Sequence, residues 1–192
     1  MLRRLYDWTL HWAGHRHAIW VLAAISFIES SVFPIPPDVL LIPMVLAAPQ
    51  RAFWIALVCT VSSVAGALLG YGIGYFAWEA LGEPILTALG KADSFDGFRD
   101  RYNAWGAWAV LIAGITPFPF KVITILSGTT GLSLPVFVVS SIVARGLRFF
   151  IVAGLLWKFG PPMRDFIERR LGLMFSLALA ALLGGFVALR YL

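Results

Sequence analysis

Long apolar runs, interrupted by prolines and a few charges, set the pattern of this chain. Crossing the hydrocarbon core of a bilayer takes about 20 helical residues. Three runs meet that length: Phe53 to Trp78, Leu134 to Trp157 and Leu173 to Leu189. Four others are too short to cross alone: Ala18 to Phe33, Val39 to Ala48, Ala104 to Ile115 and Val122 to Leu132. These four form two pairs, each joined by a Pro-x-Pro stretch, "FPIPP" at 33–37 and "TPFPF" at 116–120. Proline lacks the N–H that a helix interior needs and clashes with the preceding turn. The pattern therefore predicts two re-entrant helical hairpins that dip to mid-membrane and return, broken at Pro34, Pro36 and Pro37 and again at Pro117 and Pro119. Irregular backbone at that depth is stable only where protein or a watery cavity surrounds it.

Each predicted hairpin is followed by a full span, so residues 18–80 and 104–158 read as two copies of one unit. One crossing separates the copies, which makes them an inverted repeat. Broken segments at matching positions of such repeats point to a binding site between them near the midplane. At the start, Leu2, Leu5, Trp8 and Trp12 share one face with basic residues nearby, the signature of an interfacial amphipathic helix. The expected fold class is an all-α integral membrane protein. An N-terminal amphipathic helix occupies 1–17, the repeat domain 18–158, and a C-terminal segment with a transmembrane helix 159–192.

Composition excludes an ordinary soluble domain. Hydrophobic residues make up 60% of the 192 and charged residues 13%, against about 25% charged in soluble domains. The net charge of +5 does not indicate nucleic acid, because the basic residues sit at the edges of apolar runs, where they orient membrane proteins. With the N-terminus inside, Arg3, Arg4, Arg16, Arg51, Lys158, Arg164, Arg169 and Arg170 are cytoplasmic, against Lys91, Arg99, Arg101 and Arg190 outside. The loop 81–104 then lies outside. The first apolar run, Ile19 to Ile28, has no convincing cleavage site after it and is expected to be retained. Single Cys59 cannot form an intrachain disulfide.

A few charges fall where lipid-compatible residues are expected. Asp38 follows Pro36 and Pro37 at the start of a returning arm, and Lys121 holds the matching place after Pro117 and Pro119. The first turn of a helix presents free N–H groups that favour anions, and Lys121 adds a full positive charge to such an end. Glu29 lies one turn before the first break. Arg145 and Arg148 stand halfway along the run 134–157, three residues apart and so nearly on one face. Ionisable residues at that depth face protein or water and mark pathways. Three cations against two acids leave room for an anionic guest, and carboxylates so placed are candidates for proton exchange. The alternative is a salt-bridge network that only fixes the hairpins. Gly66, Gly70 and Gly74 form a Gly-x-x-x-Gly-x-x-x-Gly stripe suited to close helix packing. His11 and His15 have metal spacing but no acidic or Cys partner, so no metal is expected. No Gly-x-Ser-x-Gly, P-loop or His-Glu-x-x-His motif is present, and neither an enzyme nor a cofactor is expected.

The stretches "FIESSVFPIPPDVLLIPMVLA", "GALLGYGIGYFAWEALG", "GITPFPFKVITILSGTTGLS" and "ARGLRFF" resemble the DedA family, also called the VTT or SNARE-associated Golgi domain family. The likeness covers roughly residues 18–158, and "ARGLRF" is similar to the YqaA-like branch. The resemblance implies two opposed re-entrant hairpins and a bacterial inner-membrane location. It also implies a role in moving polyprenyl phosphate or other anionic phospholipids, coupled to ion gradients; eukaryotic relatives scramble phospholipids. By position, Glu29 and Asp38 match the family's acidic pair, and Lys121 stands where many members carry Arg. A second family Arg, six residues earlier, corresponds here to Ile115. Either Arg145 or Arg148 supplies the missing charge, or the guest differs.

The expected function is a proton-coupled transporter, flippase or scramblase of anionic lipid such as polyprenyl phosphate. Lys121, Arg145 and Arg148 would bind the phosphate, and Glu29 and Asp38 would exchange protons. A proton-coupled transporter of small soluble anions and a non-catalytic membrane organiser are the alternatives. The bilayer and its lipids are the expected partners, nucleic acid is not, and self-association stays open.

Overall fold

The computed structural model describes residues 17–32, 36–88, 92–116, 118–160 and 162. Residues 1–16 of the expected amphipathic helix, the expected span 173–189, and Pro34 and Pro117 lie outside the described residues. Within them the chain forms seven α-helices and no strand. They are α1 (Ala18–Ser31), α2 (Asp38–Ala47), α3 (Ala52–Ala77), α4 (Glu83–Ala88), α5 (Ala92–Ile115), α6 (Phe120–Thr129) and α7 (Leu134–Phe159). A 3-10 turn, Pro49–Arg51, leads into α3, and a π-helical stretch, Trp78–Gly82, joins α3 to α4.

The ends follow local chemistry. α2 starts behind Pro37, whose φ of −65° is already helical, and α6 behind Pro119 at φ −60°. α7 opens with a proline in its first turn and stops at Gly160, whose φ of +63° suits glycine. The apolar runs underestimated two elements. Helical structure continues past Trp78 to Ala88, and α5 begins at Ala92 rather than Ala104. The stretch expected as a connecting loop, 81–104, is thus largely helical. Hydropathy reads only lipid-compatible residues, whereas the charged residues 96–101 are compatible with helix and solvent alike.

Among the described residues, two helical runs are long and apolar enough to cross a membrane: Pro49–Ala88, which contains α3, and Leu134–Phe159. α3 and α7 each have 26 residues, about 39 Å at 1.5 Å per residue. They lie antiparallel, as three levels of contact show. Phe53 stacks near Trp157 and Phe150, Ser63 meets Arg145, and Tyr71 packs on Phe137. The short helices then line up end to end along these two. α1 runs parallel to the first half of α3, with Ser26 bonded to the Cys59 carbonyl and Ser30 to Ser63. α6 runs along its second half, Gly128 lying against the Tyr71 backbone. On the other side, α5 follows the first half of α7, where Gly114 faces Ala144, and α2 packs with its second half.

The molecule is apolar outside and partly polar inside. Trp20, Phe76, Trp105, Trp108 and Ile112 are exposed, while Ser30, Ser63, Thr124, Ser141 and Arg145 are buried. This is the arrangement lipid requires, with small and polar residues gluing helices together. Tyr71 shows how: its hydroxyl donates to the Leu132 carbonyl at 2.7 Å, tying α3 to the approach of α7. Tyr71→Phe should lower unfolding stability by roughly 1 kcal/mol, read as an earlier midpoint in denaturation from detergent micelles.

Candidate functional site

Among the described residues, two apolar clusters fill the interior, separated by a polar layer. One holds Leu22, Leu41, Val45, Ile55, Cys59, Phe149 and Leu156; the other holds Ala67, Val110, Phe120 and Phe137. Along α3 the gap between clusters falls at Thr60 and Ser63, and along α7 at Ser140 to Arg148. Both positions are close to the middle of their 26-residue helices. The polar layer therefore lies at half the height of the helical stack.

Four charged side chains meet in this layer as two pairs. Arg145 donates through Nη2 to Glu29 Oε2 at 2.9 Å and through Nε to Ser63 Oγ at 2.7 Å. Its guanidinium lies 4.5 Å from the Phe149 ring centroid and 5.0 Å from that of Phe120. Both rings offer their π faces to the cation. Arg148 donates through Nη2 to Asp38 Oδ2 and through Nη1 to the Thr116 carbonyl, both at 2.7 Å. Arg145 is 1% exposed, and the side chains of Asp38 and Glu29 retain 7% and 12%. Each pair joins α7 to a helix at the other end of the chain, 116 and 110 residues away. Among the described residues, Asp38 Oδ1, Arg145 Nη1 and Arg148 Nε are buried with no hydrogen-bond partner. A layer with spare donors and acceptors can take on further polar groups.

Lys121 lies beside this layer and is held differently. At the start of α6, it donates to the Val32 carbonyl at 3.2 Å, just past the end of α1. Thr124, one turn on, donates to the Ser30 carbonyl at 3.0 Å. A cation at a helix C-terminus complements its dipole, so Lys121 closes the end of α1. Arg148 does the same for α5 through Thr116. Asp38 in turn occupies the first turn of α2, where a negative charge is favoured. The two junctions are thus built alike, with a helix C-terminus meeting a helix N-terminus across from a long helix. Ile115 is 42% exposed, and the guanidinium of Arg148, not Arg145, reaches the backbone beside it.

The glycine stripe faces two helices. Gly66 backs onto the Phe27 backbone of α1, Gly70 onto Thr124 and Gly74 onto Ile125 of α6. Pro36 and Pro37 precede α2 and Pro119 precedes α6. Sequence reasoning singled out the five charges but not their partners. Ser30, Ser63, Thr116 and the rings of Phe120 and Phe149 went unnoticed because each is an ordinary residue in a transmembrane helix. One signal existed: Cys59, Ser63, Gly66, Gly70 and Gly74 continue a single stripe of small residues at helical spacing. Among the described residues, no group of His, Cys, Asp and Glu suits a metal ion.

A family model described as the VTT domain matches residues 35–158, well over half of the chain. An uncharacterized protein of Haemophilus influenzae is 38% identical over 168 residues, covering 85% of this chain and 87% of its own. An uncharacterized protein of Histophilus somni is 36% identical with the same coverage. No solved structure matches.

Proposed function

The chain belongs to the VTT-domain family, also called DedA, a family of membrane proteins, and from that premise we propose that it translocates an anionic lipid head group. Polyprenyl phosphate is the type of substrate, and protons are the coupling ion. The observation that carries this reading is the neutral layer of Arg145–Glu29 and Arg148–Asp38 beside the more accessible Lys121. With both acids ionised, each arginine is balanced. Adding a proton to either acid leaves the layer with one excess positive charge at a depth where charge is costly. A phosphate restores the balance, so proton and anion favour each other's binding. Lys121 takes the anion first, because among the described residues its side chain makes one hydrogen bond, a long one to a carbonyl, and the arginines stabilise it inside.

The same reading takes α1–α2 and α5–α6 as re-entrant hairpins of an inverted repeat, with the N-terminus cytoplasmic. The like-built junctions support it. Arg148 is the arginine that stands in for the family charge missing at Ile115, since it binds beside that position.

Asp38→Asn should abolish transport in proteoliposomes while the protein still folds with a lower melting temperature in detergent, since an amide can still accept from Arg148 but no longer balances its charge. Retained transport would remove Asp38 from the proton route. Lys121→Gln should weaken binding of polyprenyl phosphate at least tenfold and leave zwitterionic lipid unaffected; equal binding by the variant would remove Lys121 as the anion's first contact. The complete pairing of the arginines also favours a second reading, a non-catalytic organiser whose charges are structural. Melting that collapses on every single charge removal, with no transport by the parent protein, would select it. Uptake of soluble phosphate into proteoliposomes without head-group flipping would select a small-anion transporter.

A further inference from the structure

A cavity of about 180 Å³ opens where α3 passes through the π-helical stretch Trp78–Gly82 into α4. π-Helical turns are rare, and many of them sit at functional sites. This one sets Glu79 and Glu83 on the cavity wall, which Phe95, Asp96 and Arg99 of α5 and the end of α6 complete. The cavity lies well away from the charged layer. Tyr75, on its wall, is twelve residues beyond Ser63, about 18 Å along α3. Its volume suits a small head group, being below the roughly 300–1,000 Å³ of sites for drug-sized ligands.

The charge of this cavity is the reverse of the layer's. Among the described residues, its lining carries three carboxylates, Glu79, Glu83 and Asp96, against the one guanidinium of Arg99. Gly128 and Thr129 add the C-terminus of α6, the negative end of a helix dipole. The cavity therefore favours a cation. No group of His, Cys, Asp and Glu among the described residues suits a metal ion, so the carboxylates surround the space rather than converge on one point. Trp78 and Phe95 stack with their centroids 3.8 Å apart and cover each other's faces. They form a wall, not an aromatic cage for a quaternary ammonium. The lining fits instead an ammonium with N–H donors to share among separate carboxylates. Arg99 supplies the opposite pole. Its Nε donates to the Thr130 carbonyl at 3.0 Å, while Nη1 stands 3.9 Å from Asp96, too far for a hydrogen bond. The guanidinium thus keeps donors for a phosphate. Phe76, Leu81 and Ile85 of the same stretch are exposed, and amphipathic helix of this kind lies at the boundary of head groups and acyl chains.

We propose that this cavity docks the ethanolamine phosphate group of a membrane lipid, its ammonium among Glu79, Glu83 and Asp96 and its phosphate on Arg99. The site goes beyond the translocation reading and does not depend on it, since an anionic lipid is not its ligand. Calorimetric titration of short-chain phosphatidylethanolamine into the detergent-solubilised full chain tests it. Binding should be about fivefold tighter than for phosphatidylglycerol or phosphatidylcholine of equal chain length, the scale of partly exposed charge pairs. The first competitor lacks the ammonium, and the second lacks its N–H donors. Glu79→Gln with Glu83→Gln should remove the preference. Thr87→Trp, at an exposed position on the cavity wall, should fill the space and weaken phosphatidylethanolamine binding without touching a charge. A folded parent with no preference overturns the proposal, and so does a preference that survives in both variants. Equally tight binding of free phosphoethanolamine would overturn the lipid as the source of the group.

Discussion

Arg145→Met should leave little folded protein. The substitution strands Glu29 in the interior, removes the donor to Ser63 and takes the cation from between the Phe120 and Phe149 rings. Removing one partner of a buried ion pair costs about 3–5 kcal/mol, a large share of the roughly 5–15 kcal/mol that holds a domain together. The double substitution Glu29→Gln with Arg145→Met removes both charges and should recover most of the loss, because the pair itself contributes far less than its half-broken form costs. Size-exclusion profiles and melting in detergent measure both. The double variant matters beyond stability: it should be folded and still inactive, which a purely structural network would not require.

Gly128→Val should be as damaging, for a reason unconnected with charge. A Cβ at Gly128 meets the Tyr71 carbonyl of α3, and one at Gly74 meets the Ile125 carbonyl of α6. Each glycine thus opens the door for the other helix's backbone, and neither backbone can yield without unseating its own hydrogen bonds. Even Gly128→Ala should lose roughly 1–3 kcal/mol by overpacking. Gly72, two residues from Gly74, has nothing within 4 Å of such a Cβ. Gly72→Ala should be neutral or stabilise by up to about 1 kcal/mol, the helix-propensity gain over glycine. Melting of the three variants side by side separates contact from propensity.

Much of this architecture could be read from the chain because lipid imposes a strong filter. Run length gave α3 and α7 to within a residue or two, and the proline pairs marked where α2 and α6 begin. Polar helix escaped the same reading: residues 92–103 of α5 and the extension through Glu83–Ala88 hold scattered apolar residues among charges and no run of span length. Five charges at improbable depth announced a site. Which acid joins which arginine could not be read, since the partners are more than a hundred residues apart and the pairing follows from α3 and α7 lying antiparallel. Lys121 shows the same limit. Its position after two prolines suggested a free cation at a helix start, and the fold also places it over the end of α1. Ser63 escaped because a serine in a small-residue stripe reads as packing until the arginine opposite is in view.

The central claim is that this layer carries an anionic head group across the membrane with protons. Its most direct test is head-group flipping of fluorescent polyprenyl phosphate in proteoliposomes of the full chain, with and without a pH gradient. The parent protein should flip the lipid faster when the gradient is applied, and the folded Glu29→Gln/Arg145→Met variant should match protein-free vesicles. A well-folded parent that flips no faster than protein-free vesicles would contradict the claim, and so would a double variant that flips as fast as the parent.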